Sequence, residues 1–102
     1  MITLNFKLNY VETKQMVGDD VETQTHQVLK NLMAVVEASG CKMEHVVKTT
    51  ILLRSMADFP KVNAIYATYF PLNPPARSTF AVVGLPMNAL VEIEAIAVLE
   101  QK

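Results

Sequence analysis

The run Leu90 to Leu99, LVEIEAIAVL, constrains this chain more than any other segment. Side chains alternate along an extended strand. Val91, Ile93, Ala95, Ala97 and Leu99 therefore point one way, and Leu90, Glu92, Glu94, Ile96 and Val98 the other. Both sets are too apolar to face water, so both faces of this strand need cover. Two helical patterns supply cover for one face. From Val21 to Ser39 the stripe is Val21, Val28, Leu29, Leu32, Val35 and Val36; in the second helix it is Phe59, Val62, Tyr66, Tyr69 and Phe70. The other face is left open, and we expect another subunit to cover it.

The flanking signals complete the element order. Residues 2–10 alternate as a half-buried strand, with Ile2, Leu4, Phe6, Leu8 and Tyr10 on one side. After Gly18, Asp19 or Asp20 suits the cap of the first helix, and Gly40 suits the positive-φ position beyond its end. His45 to Arg54 is rich in β-branched residues, with Val47, Thr49, Ile51 and Leu53 predicted to share a face. Asp58 can cap the second helix, Pro60 is tolerated in its first turn, and Pro71, Pro74 and Pro75 stop it. Ser78 to Val83 reads as a strand and Gly84 to Asn88 as a turn. The order is β-α-β-α-β-β over a single domain, residues 1–102. It predicts a two-layer α/β (α+β) sandwich with both helices on one face of a sheet of about four strands.

Composition removes several functions. With net charge −1 the chain has no general attraction for nucleic acid phosphates. No run of about 20 apolar residues is present, so no membrane span is expected. The opening MITLNFKLNY alternates instead of presenting an apolar block, which predicts no secretory leader. The single cysteine, Cys41, has no internal disulfide partner, and a reducing intracellular compartment fits. His26, His45 and Cys41 match no metal-ligand spacing, and three glycines cannot build a phosphate-cradling loop. Cys41 reads as a small buried residue.

Charged candidates remain in NPPARSTF, where Arg77 arrives as a strand begins, and in Glu92 and Glu94. If the last two strands form a hairpin, Arg77 lies near those carboxylates. One reading is a structural salt bridge across a subunit contact. The other is that Arg77 takes a carboxylate by a two-pronged contact while one glutamate handles a water or a proton. Asn63 in the second helix is the further polar candidate; on its own it reads as a solvated helix residue.

The segments PARST (75–79), VVKTTILL (46–53), DFPKVNAIYATYF (58–70) and VEIEAIAVL (91–99) resemble the Rid/YjgF family of reactive-intermediate deaminases. VETQTHQVLKNLMAVVEASG resembles that family's first helix. The resemblance runs from about Gly18 to Leu99. It implies a chorismate-mutase-like fold, a cytoplasmic homotrimer with sites between subunits, and relatives in organelles as well. It further implies hydrolysis of 2-iminobutanoate and 2-iminopropanoate to 2-oxo acids and ammonia, without cofactor or metal. Carried over by position, Arg77 matches the carboxylate-binding arginine and Glu92 the glutamate holding the attacking water. Asn63, Thr79 and Pro86 match residues lining the cleft. The front departs from the pattern: Gly-Pro-Tyr has no counterpart, and Asn5-Phe6-Lys7 stands roughly where Ser-Gly-Gln is usual. The expectation there is a shortened or divergent N-terminus. Two alternatives stay open, a non-catalytic trimeric binder of small carboxylates and a ribonuclease or translation inhibitor.

Overall fold

The computed structural model describes residues 2–9 and 20–99, with side chains from residue 20 to residue 98. The elements are β1 (Ile2–Asn9), α1 (Val21–Ala38), β2 (Val46–Leu53), α2 (Phe59–Tyr69), β3 (Ala76–Ala81) and β4 (Val91–Leu99). Short 3-10 turns precede β2 (Met43–His45), α2 (Met56–Asp58) and β4 (Pro86–Asn88). The strands form one mixed sheet in the order β1-β4-β2-β3. β4 runs antiparallel to both β1 and β2, while β2 and β3 are parallel, joined by α2 as the crossover. This is the two-layer α+β arrangement expected. Tyr10, Gly18 and Asp19 lie outside the described residues.

The hairpin between the last two strands does not form. β2 lies between β3 and β4, because a strand–helix–strand unit sets β3 parallel beside β2 and leaves the opposite edge of β2 to β4. β3 is therefore an edge strand.

The core lies between the sheet and the helices. β4 contributes Val91, Ile93, Ala95 and Ala97, and β2 contributes Val46, Thr49, Ile51 and Leu53. α1 buries Val21, Val28, Leu29, Leu32 and Val36, and α2 buries Val62, Ile65 and Tyr66. Each fully buried aliphatic side chain contributes on the order of 1.5–3 kcal/mol. Cys41 joins this core.

Three details differ from the sequence pattern. Val47, expected on the buried face, is 48% exposed. An irregularity in the β2–β4 register between Val46 and Lys48 turns it out and puts Val46 inside. Val35 lies at the margin of its stripe and is exposed, while Gln24, Thr25 and Asn31 of α1 are buried. Gln24 is used: its Oε1 accepts from the Leu90 backbone N–H at 2.8 Å, tying α1 to the entry of β4. Asp58 occupies the N-cap position of α2 without a side-chain cap bond; the Ser55 hydroxyl instead accepts from Ala57 N–H one turn earlier. Asp20 does cap α1, accepting from Thr23 N–H at 2.8 Å, and Gly40 follows α1 with φ 93°.

Candidate active site

α2 presents Phe59, Asn63 and Tyr66 at spacings of four and three residues, so they share one face, and Phe70, just past the helix end, packs its ring against Tyr66. Arg77 is the second residue of β3 and lies opposite that face. In the parallel register it pairs with Thr49 of β2, whose side chain is buried beneath α2. Pro74 and Pro75 lead the chain extended into β3 and restrict where Arg77 can begin.

The Arg77 guanidinium is held on three sides. Its Nη1 donates to Asn63 Oδ1. Its carbon lies 5.2 Å from the Phe59 ring centroid and 5.0 Å from that of Tyr66, within cation–π range. The Tyr66 and Thr49 hydroxyls are 2.6 Å apart in a buried hydrogen bond. Burial pushes the Tyr66 hydroxyl above its ordinary value of 10.0; the Thr49 bond and the Arg77 charge pull the other way.

Beside the guanidinium opens a groove of about 410 Å³, lined by Asn63, Tyr66, Ala67, Phe70, Pro74, Pro75 and Arg77. One cation thus faces a mostly apolar cleft. Among the described residues no carboxylate pairs with it. Such a site can take a small anion with an apolar body.

Of the residues expected at a site, the structure brings Arg77 and Asn63 together, so Asn63 is not a plain solvated helix residue. Thr79 pairs with Ile51 and shares the Arg77 face, but it does not line the groove. Pro86 opens the exposed turn before β4 and lies outside the groove. Glu92 pairs with Leu52 and Asn9, and Glu94 with Thr50 and Lys7. Paired residues share a face, and neighbours along a strand alternate. Glu92 therefore projects from the side of the sheet opposite Arg77, where it is 5% exposed. Within one chain the two do not meet. Phe59, Tyr66 and Thr49 were not read from sequence as site residues. The available signal was an asparagine set into an otherwise aromatic helical face. Among the described residues, no three metal-ligating side chains cluster, and no helix is long and apolar enough to cross a membrane.

Comparison with known proteins decides the family. The profile described as Endoribonuclease L-PSP matches residues 7–99. The chain belongs to this family, the Rid/YjgF proteins. It is similar to Reactive Intermediate Deaminase A, chloroplastic, of Arabidopsis thaliana, at 56% identity over 86% of this chain and 47% of that protein. A 2-iminobutanoate/2-iminopropanoate deaminase of Mus musculus is 50% identical over 82% of this chain and 62% of that protein. The chain thus spans about half to two thirds of the length of these relatives. The solved structure of the yjgF gene product of Escherichia coli superposes with a TM-score of 0.80 at 42% identity, covering 85% of this chain and 71% of that one. The fold is therefore the YjgF fold.

Proposed function

We propose that this Rid/YjgF chain hydrolyses small 2-imino acids, 2-iminobutanoate and 2-iminopropanoate among them, to 2-oxo acids and ammonia. The observation that carries the reading is the Arg77 guanidinium, fixed by Asn63 and two aromatic rings beside an apolar groove. Arg77 takes the substrate carboxylate with its planar fork. The groove walls Ala67, Phe70, Pro74 and Pro75 take the short aliphatic tail. Similarity to relatives named imine deaminases supports the same chemistry.

The reaction needs one water and no redox step. Water oxygen bonds to the imine carbon as its proton passes to a base and the imine nitrogen is protonated. The resulting carbinolamine then loses ammonia as the C–N bond breaks and the C=O bond forms. Glu92 is the base in this reading. Because Glu92 and Arg77 project from opposite faces of one sheet, Glu92 must come from a second subunit. The exposed apolar side chains on the sheet's outer face and the loop after it, Phe80 and Val83 among them, support association of copies, and the reading takes the assembly as a cytoplasmic homotrimer. Thr79 and Pro86 border the completed cleft in that assembly.

Complementation tests the shared site. Arg77→Ala and Glu92→Gln should each abolish imine hydrolysis. Their co-assembled mixture should regain about a quarter of wild-type activity, since random mixing in a closed ring restores that share of sites. No recovery from mixed oligomers would refute a site built from two chains.

A second reading has its own support: among the described residues no carboxylate lines the groove, which suits a binder of small 2-oxo acids. Robust turnover would exclude it. Net charge −1 gives a ribonuclease reading little support.

A further inference from the structure

The Tyr66 ring has been used above, but the bond between the Tyr66 and Thr49 hydroxyls has not, and both residues are buried, at 4% and 1% exposure. Thr49 stands directly beside Arg77 in the β2–β3 register. Tyr66 comes down from α2, with its ring 5.0 Å from the guanidinium carbon and its hydroxyl on Thr49 at 2.6 Å. The ring also packs against Phe70, centroid to centroid 4.7 Å. A buried hydroxyl without a partner is costly, so each hydroxyl confines the other. The Tyr66 ring therefore has one settled position, and that position meets the guanidinium beside the groove.

We propose that Thr49 and Tyr66 are positioning residues: their hydroxyl pair fixes the Tyr66 ring, and the ring holds Arg77 in the orientation in which its fork meets a carboxylate. This rests on the reading of Arg77 as the carboxylate-binding group. An arginine side chain free to rotate binds a planar anion less well, because its rotamers must be frozen on binding. The pair acts before substrate arrives and touches no reacting atom. Its loss should weaken binding of the anionic end and leave the chemical step nearly unchanged.

The test uses Thr49→Val, Tyr66→Phe, their double variant and Tyr66→Leu in the assembled protein. Three readouts are taken: the Kd for 2-oxobutanoate by calorimetry, the split between KM and kcat, and the Arg77 Nε–Hε resonance by NMR. Tyr66→Leu removes the ring and should raise Kd and KM by about three- to thirtyfold, the range of a partly desolvated cation–π contact. Thr49→Val and Tyr66→Phe should each raise them by a few fold, with kcat nearly constant. The double variant should be no worse than either single one, because the two hydroxyls form one interaction. In all four the Nε–Hε resonance should lose its ring-current shift or broaden. Folded Thr49→Val and Tyr66→Phe proteins with wild-type Kd and an unmoved resonance would overturn the proposal. Additive losses in the double variant would also overturn it. If the wild-type protein binds no 2-oxo acid, the carboxylate reading of Arg77 fails, and the resonance in Thr49→Val and Tyr66→Phe still decides the positioning role. If Tyr66→Leu does not fold, the two conservative variants carry the test.

Discussion

Replacing Arg77 with lysine keeps the positive charge and removes the fork. Arginine carries five N–H donors, and one of those on Arg77 is committed to Asn63. The remaining donors include a pair suited to two parallel bonds with a carboxylate. Lysine offers a single strongly hydrated ammonium that keeps one of those bonds and loses the planar stacking on Phe59 and Tyr66. A hydrogen bond to a charged group is worth about 1.5–3 kcal/mol net. The groove is open and Arg77 is exposed, so solvent screening selects the lower end. A loss of about 1.5 kcal/mol is roughly a tenfold rise in Kd. Calorimetric titration with 2-oxobutanoate measures this directly. Thermal stability should fall only slightly, by about 1 kcal/mol or less, the worth of an exposed cation–π contact, so a loss of binding is not a loss of fold. A folded Arg77→Lys protein that binds within twofold of wild type would refute the two-pronged contact.

Other predictions concern the scaffold. Leu29 is fully buried between α1 and the sheet, so Leu29→Ala should cost about 2–5 kcal/mol, read as a lower urea midpoint. Gly40 has φ 93° and no atom within 4 Å of an added Cβ, so the cost of Gly40→Ala is conformational; it should destabilise by about 1–2 kcal/mol in the same titration. The bond from Thr23 N–H, more than any other contact, holds the Asp20 carboxyl below its ordinary value of 3.8. A depressed pKa stabilises the fold above the unfolded value and loses that effect as pH falls through the folded value. Asp20→Asn should therefore melt below wild type at neutral pH, and the gap should close in strong acid. The Tyr66 hydroxyl shifts the opposite way, so its contribution is complete below pH 10.0 and is lost as pH rises through the higher folded value. Alkaline melts of wild type should fall more steeply than those of Tyr66→Phe.

The layers of the fold were legible because they depend on periodicity. The alternation of β4 through Val98, the stripe of α1 apart from Val35, and the glycine after it turned up where the pattern put them. The neighbours of β3 were not legible. Consecutive strands often pair, but α2 carries the chain over the sheet and sets β3 down on the far side of β2, a choice made by crossover geometry and not by residues 76–99. The outward turn of Val47 was hidden for a related reason: a one-residue irregularity breaks the period of two on which the face assignment rests. At the site, Arg77 stood out as a charge opening a strand, and Asn63 as an amide in an aromatic stripe. Tyr66 and Thr49 did not, since a tyrosine and a threonine in apolar patterns look like core until the parallel register brings them to Arg77. The face of Glu92 was readable from alternation alone. That it points away from Arg77 required the helix side of β3 to be known.

An imine-decay assay tests the role of Arg77 in hydrolysis directly. Threonine dehydratase generates 2-iminobutanoate in solution, and its disappearance is followed with wild-type protein, with Arg77→Ala and with neither. Decay should be faster with wild type alone, and with Arg77→Ala it should run at the rate seen without protein. Equal acceleration by both proteins would contradict the role given to Arg77. No acceleration by folded, assembled wild type would contradict the deaminase assignment itself.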